Sequence, residues 1–342
     1  MAKRRKADLY KNTYLDNLLG YQNRKYKPSY YFSPSTVDKI ARYSKQILQS
    51  LLIIFIVFTV TFFLLQIIGG SPEILNDPKL NEVSRNQLMS DMHLDESSIS
   101  QYGYALLDIF NGTMGTSWED GAQVSTKIFS KMGISIQIGL IAFSFSLLIG
   151  IPMGVVFGST DGSAVDWTSA IFSSIAFAVP TFVIALIVVS INYALGLPIV
   201  FDYGNAFMYL IPALVLAIPI SFTYVRYLKT SINQEWRKQY VKFAKVKGVK
   251  KNRILYRHTF KSALFPIATY LPFVAISVFF GSLTVETIFA IPGSGKLLVD
   301  SVLSGDNPTI LGLVFVYTIV TVLAFLIRDI LYDMLDPRIR VK

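Results

Sequence analysis

Six stretches of this chain carry no charged residue, and each is long enough to cross a lipid bilayer: residues 46–72, 132–160, 167–201, 203–225, 262–285 and 307–327. An α-helix rises about 1.5 Å per residue, so roughly 20 residues span about 30 Å of hydrocarbon. A soluble fold can hide one such run in its core but has no place for six. Only 16% of the 342 residues are charged, and the mean hydropathy is +0.48. These values exclude an ordinary soluble domain and fit an integral membrane protein. Cysteine is absent, which excludes disulfides, thiolate metal sites and a cysteine nucleophile. A secretory signal peptide is not expected, because the first apolar run starts near Ile47 after a long polar leader.

The charges between the runs orient them. Residues 1–45 carry eleven Lys/Arg and three acids, whereas residues 73–131 carry four Lys/Arg and nine acids. Residues 226–261 carry twelve Lys/Arg and one acid, and the tail from Arg328 carries four Lys/Arg. By the positive-inside rule the leader, the 226–261 segment and the tail are cytoplasmic. Six spans with both ends inside satisfy every sign. The formal net charge of +10 is therefore a topology signal with some attraction to anionic lipid, and nucleic acid is not the expected partner.

The spans are expected near residues 47–68, 134–157, 168–193, 207–228, 264–289 and 309–331. Residues 1–45, opening with Lys3-Arg4-Arg5-Lys6, read as a basic cytoplasmic extension, partly disordered or serving as a docking arm. The rest, 46–342, reads as one transmembrane domain. Its external loop covers about 69–131, with short amphipathic pieces near 86–92 and 98–110 and a glycine-punctuated turn at 111–118. Its cytoplasmic loop covers about 229–262. Pro152, Pro180, Pro212, Pro219, Pro266 and Pro272 fall in or near the spans, and such kinks suit a bundle that houses a pathway. Gly150, Gly154 and Gly158 repeat every four residues on one helix face, the small-residue pattern of close helix packing.

The cytoplasmic loop holds the most specific pattern. Read as one helix, it sets Trp236, Tyr240, Phe243 and Ala244 on one side and Lys238, Lys242 and Lys245 on the other. Gly248 breaks or caps it. The plain alternative is an amphipathic helix lying on anionic headgroups. Tied between two spans by short arms, however, such a helix passes any push to the bundle.

Three other signals carry less. Pro292-Gly-Ser-Gly-Lys296 resembles part of a phosphate loop, but a complete one needs glycine where Ala290 stands and Ser or Thr where Leu297 stands. It reads as a turn between spans 5 and 6. His93 and His258 fall on opposite sides of the membrane and cannot share a metal. Glu286 is the one charge near the interior of a span and reads either as a gate or as an interhelix polar contact.

Tyr240-Val-x-x-Ala244-x-x-x-Gly248, Arg257-His258 and Ala263-Leu264-x-Pro266 resemble the coupling loop of ATP-binding-cassette importer permeases of the oligopeptide/dipeptide type. The likeness continues through Gly281-x-x-x-Val285-Glu286-Thr287-x-Phe289-x-x-Pro292-Gly293-x-Gly295, Asp306-x-Pro308 and Gly312. It ends in Asp329-x-Leu331-Tyr332-x-x-x-Asp336-Pro337-Arg338-Ile339-Arg340. Gly112-x-x-Gly115-x-Ser117 and Gly150-Ile-Pro-x-Gly154 match in the first half. The order and spacing resemble the first of the two permeases that pair in these importers. The chain departs from the family where the loop usually begins Glu-Ala-Ala, reading Lys242-Phe243-Ala244, and where Ser262 replaces a common Asn.

The resemblance implies an all-α, six-span permease of the type I importer architecture, multi-pass in the cell membrane and not itself an enzyme. It implies four partners besides lipid: a second homologous permease, two ATPase subunits and an extracytoplasmic substrate-binding lipoprotein. No cofactor is expected in this chain, since ATP and Mg would bind the ATPases. Tyr240, Val241, Phe243, Ala244 and Gly248 would form the contact through which ATP-driven closure reaches the bundle. The cargo would be peptides, with nickel or another small solute as the alternative within the family. A stand-alone secondary transporter would call for intramembrane acids or inverted repeats, and a non-transporting receptor or scaffold leaves the coupling loop unexplained.

Overall fold

A computed structural model describes residues 36–68, 72, 75, 81–160, 164–198 and 201–335. The Lys3–Lys6 basic cluster, residues Gly69–Ser71 after the first apolar helix and the Asp336–Arg340 motif lie outside the described residues. The chain divides into two units, Met1–Lys45 with Asp333–Lys342, and Gln46–Tyr332. Of the first, the described parts, 36–45 and 333–335, are helical. The second is helical almost throughout. Among the described residues there is no β-strand, only an isolated bridge between Thr116 and Gln123.

Four helices are individually long and apolar enough to cross a membrane. They are α1 (Thr36–Ile68), α4 (Val124–Gly158), α7 (Ala206–Trp236) and α14 (Asn307–Leu335). Between α1 and α4 lie two short helices, α2 (Glu82–Asp91) and α3 (Ser98–Phe110), capped by the side chains of Asn81 and Ser97. Tyr102 of α3 seats its ring among Phe58, Phe62 and Phe63 of α1 and shares a 2.7 Å hydrogen bond with Thr59.

Two expected spans are not continuous helices, so the number of crossings is four, or up to six if each bent pair counts as one. The 168–193 run is α5 (Ala164–Ala178) and α6 (Thr181–Ala194), bent by 92°. Pro180 causes the break. It sits at the cap of α6 with φ −60° and ψ 145°, it offers no N–H, and its ring disfavours the helical conformation at Val179.

The 264–289 run departs further. Helix α8 (Gln239–Val246) is followed by α9 (Lys251–Ile254), a π-helical turn at Leu255–Thr259 and α10 (Phe260–Ala263). Then α11 (Phe265–Ser277) sets off at 49° to the preceding pieces. A 3-10 turn at Val278–Phe280 ends it, and Gly281 takes φ 64° and ψ −173°, which a residue with a Cβ resists. Glu286 therefore belongs to a separate short helix, α12 (Leu283–Ile288), and not to the end of a span. Helix α13 (Ser294–Ser304) leads from there to α14.

Helix α4 is the centre of the second unit. Over its 35 residues, about 50 Å long, it contributes to all three buried clusters. Val124, Ile128 and Met132 pack with Leu297, Leu313 and Val316. Ile134, Ile138 and Ala142 pack with Ala185, Ala213, Val285 and Ile291. Val155 packs with Tyr224, Leu228 and Ile232 of α7 and with Leu255, Ala263 and Ile267.

The glycine stripe sets the α4–α7 contact. A Cβ on Gly150 would lie 2.8 Å from the Ser221 carbonyl, and one on Gly154 would lie 2.9 Å from Leu228 Cβ and 3.2 Å from Val225 Cα. One on Gly158 would lie 2.9 Å from Ile232 Cβ. No side chain larger than hydrogen fits without moving α7. In lipid, helices gain little from hydrophobic exclusion, so this close approach supplies the dispersion contact that holds the pair.

Gly154→Val should lower the thermal unfolding transition of the detergent-purified protein by the equivalent of about 1–3 kcal/mol, through overpacking. Gly103→Ala is the control. A Cβ there meets nothing within 4 Å inside α3, and the exchange should leave the transition unchanged or raise it by up to about 1 kcal/mol.

Candidate functional site

The predicted coupling residues gather on and just after α8. The single helix expected from Trp236 onward is in fact two: α7 runs through Trp236, and Arg237–Lys238 separates it from α8. Lys238, at φ −72° and ψ 152°, is extended backbone and caps α8. The long α7 spends its last turn packing against α4, and the chain must turn to lay α8 down at a new angle. Trp236 therefore does not share a helix face with Tyr240, although its ring receives the Lys245 ammonium at 4.7 Å.

The faces of α8 also differ from the expected pattern. Val241 is fully buried and pins α8 to the protein's own core, so it is not an outward contact. Ala244 is partly buried, while Tyr240, at 39%, and Phe243, at 66%, are exposed. Val246, which the sequence reading passed over, is 87% exposed and lies on the same side as Phe243. Their i, i+3 spacing was the signal. Together they make an outward apolar pair in a strongly basic segment.

Gly248 ends the helix with φ 73°. Its N–H donates to the Lys245 carbonyl at 3.0 Å, and the Val249 N–H donates to the Ala244 carbonyl at 3.1 Å. This pair of bonds is the Schellman closure, which needs a left-handed residue where Gly248 stands. At the other end, the Tyr240 hydroxyl donates to Glu235 Oε2 at 2.6 Å. Burial and this carboxylate push the Tyr240 hydroxyl up to about 12, so it remains a donor at neutral pH.

A second constellation surrounds Glu286. Its carboxylate is buried and accepts from Ser135 Oγ of α4 at 2.7 Å, the Ser282 N–H at 3.2 Å and the Lys296 N–H at 3.0 Å. Ser135 Oγ in turn accepts from the Ser294 N–H at 2.8 Å. The Pro292–Lys296 stretch is thus more than a turn. A Cβ on Gly281 or Gly293 would collide with the Glu286 carboxylate, and one on Gly295 would lie 2.8 Å from the Leu283 nitrogen. The glycines make room for an internal carboxylate, which occupies the amides that a phosphate loop would offer its ligand. Glu286 thereby joins α4, α12 and α13.

Asp306 forms a third polar joint that sequence reasoning left without a role. It is fully buried. It accepts from Ser117 Oγ and Thr309 Oγ1, each at 2.6 Å, and from the Trp118 N–H at 2.9 Å, with the Lys127 ammonium at 3.6 Å. It anchors the 111–118 turn to the start of α14. The legible signal was an acid set three residues before Thr309 at a helix start. His93 stacks on Tyr104 and bonds Glu96, and among the described residues there is no group of three or more His, Asp or Glu that could hold a metal.

Glu286→Ala would take the acceptor from three donors, the buried Ser135 hydroxyl and the part-buried amides of Ser282 and Lys296, and Gly293→Ala would force the carboxylate out. Each should cost about 3–5 kcal/mol, read as a lower thermal transition and faster protease cleavage between α11 and α14. Gly248→Ala should cost only about 1 kcal/mol, from its left-handed backbone, because a Cβ there meets nothing within 4 Å.

Residues 150–341 match the model of the binding-protein-dependent transport system inner membrane component family. The chain is similar to the oligopeptide transport system permease protein OppB of Haemophilus influenzae, with 31% identity over 86% of this chain and 98% of that one. It is equally similar, at 31% over the same shares, to the oligopeptide transport system permease protein AppB of Bacillus subtilis. The dipeptide transport system permease protein DppB of Lactococcus lactis is 28% identical over 85% of this chain and 96% of its own length. With its apolar helices, its α8 loop and the Glu286 joint all within or beside the matched region, the chain belongs to the family of binding-protein-dependent transport system inner membrane components, as a multi-pass membrane permease.

Proposed function

We propose that this chain is one of two permease subunits of an ATP-driven importer that carries peptides across the cytoplasmic membrane. The peptide cargo is supported by the relatives, which are named as oligopeptide and dipeptide permeases and align with almost their whole length. Each bent pair counts as one span in this reading, which gives six crossings with both termini in the cytoplasm, in keeping with the charge asymmetry of the loops. The partners are a second permease, two ATPases that carry ATP and Mg, and an extracytoplasmic binding lipoprotein.

The observation that carries the mechanism is α8. It is a two-turn helix held inward by Val241 and closed by Gly248, and it presents Phe243 and Val246 outward. An exposed apolar pair on a short helix suits insertion into a groove on an ATPase. Ala244, small and partly buried, allows close approach. Closure of the ATPases on ATP would then displace α8, and the movement would pass through α7 on one side and the α9–α11 series on the other. Glu286, held by three donors, acts in this reading as the interhelix contact that keeps α12 and α13 on α4.

The test is peptide uptake into proteoliposomes holding the full importer. Gly248→Pro cannot adopt φ 73° and loses the N–H that bonds Lys245, and Ala244→Arg blocks close approach. Both should insert normally and abolish ATP-driven uptake. Normal uptake in both would remove the coupling assignment, and uptake by this chain alone on an ion gradient would overturn the importer reading.

A further inference from the structure

Among the twelve Lys and Arg of residues 226–261 stands one acid, Glu235. It is buried in the last turn of α7, and its two oxygens serve different partners. Oε1 accepts from the Lys238 ammonium at 2.5 Å, and Oε2 accepts from the Tyr240 hydroxyl at 2.6 Å. Tyr240 also reaches the His258 carbonyl at 3.4 Å, in the π-helical turn on the way to α11. One hydroxyl, carried by α8, thus contacts both routes into the bundle.

We propose that Glu235 is a positioning residue of the coupling apparatus: through Tyr240 it clamps α8 to the end of α7, so that displacement of α8 is delivered to the bundle and not lost in rotation of α8. This rests on the reading of α8 as the coupling helix. Helix α8 is eight residues long and has a non-helical joint at each end, Arg237–Lys238 and Gly248. Val241 is its only buried side chain. An apolar contact has no preferred direction, and the Lys245 ammonium over the Trp236 ring rides on a flexible stem, so without a directional contact Val241 would act as a pivot about which α8 could turn.

Tyr240 projects about 100° around the helix from Val241, and a hydrogen bond to a carboxylate is short and directional. The apolar pin and the polar clamp together fix both the position and the angle of α8. Lys238 holds the second oxygen and keeps the carboxylate turned toward Tyr240. A carboxylate that served only as counter-charge for the surrounding cations would need Lys238 but not the Tyr240 hydroxyl.

The experiment measures peptides imported per ATP hydrolysed by the complete importer in proteoliposomes, with ATPase co-purification as the check on assembly. Tyr240→Phe, which removes one oxygen, and Glu235→Ala should each lower this ratio roughly three- to tenfold, the loss expected for a typical net hydrogen bond at a half-exposed site. The two changes combined should cost little more than either alone. Glu235→Gln keeps an oxygen that can accept from Tyr240 and should restore much of the ratio. Lys242→Gln removes a neighbouring cation of α8 without touching the clamp and should leave the ratio at the wild-type value.

An unchanged ratio in both Tyr240→Phe and Glu235→Ala overturns the clamp, as do fully additive losses or an equal loss in Lys242→Gln. If Gly248→Pro abolishes uptake while Tyr240→Phe and Glu235→Ala keep the wild-type ratio, the clamp alone fails. If Gly248→Pro transports normally, the coupling reading fails with it.

Discussion

Within the second unit, the close contact between α4 and α7 sets where the end of α7 and the start of α8 stand. Three glycines, one per turn of α4, let the two backbones approach until a methyl group would not fit. In a bilayer, where lipid chains are as apolar as leucine, close packing of this kind holds helices together. The consequence runs along α7. Its last turn carries Glu235 and Trp236, and the chain turns there into α8. Were α7 to stand off from α4, α8 would move with it.

The two ends of α4 handle polar groups differently. Near the Ser135 end, carboxylates are buried and saturated by hydroxyls and backbone amides: Glu286 joins α12 and α13 to α4, and Asp306 joins the 111–118 turn to α14. Fully satisfied polar joints of this kind specify one arrangement, because any other leaves a buried group unpaired. Near the Gly158 end the cations are mostly exposed, and the chain is broken into short pieces, with a non-helical joint at Arg237–Lys238, a left-handed glycine at Gly248 and a π turn at Leu255–Thr259. One end is locked by internal hydrogen bonds. The other leaves a small apolar surface, Phe243 and Val246, exposed.

Much of this was legible in the residues. The charge-free windows located α1, α4, α7 and α14, since length and absence of charge are properties of the chain and need no partner. The i, i+4 glycines announced a close contact, and Gly248 announced a helix end. The breaks were only half legible. Pro180 was visible, but whether a proline kinks a membrane helix or ends it depends on what neighbouring helices do with the freed groups. Gly281 gave no warning, because a lone glycine in an apolar run does not declare its φ. Periodicity left Val241 and Val246 of α8 without an assigned face, since it groups residues by angle but cannot say which side meets the core.

The sequence by itself therefore determined the class of molecule, its orientation signals and the family likeness. These follow from hydrophobic length, from the distribution of charge and from motif order along one dimension. The tertiary structure alone decided that Glu286 stands on its own short helix within a glycine cradle, that Asp306 anchors the 111–118 turn, and that Glu235 meets Tyr240. The hydrogen-bond partners of Glu286 extend to Ser135, 151 residues away. Asp306 and Ser117 are separated by 189 residues. No local pattern encodes such pairings; they exist because close packing around α4 brings these groups within hydrogen-bond distance, where a buried carboxylate must find its donors.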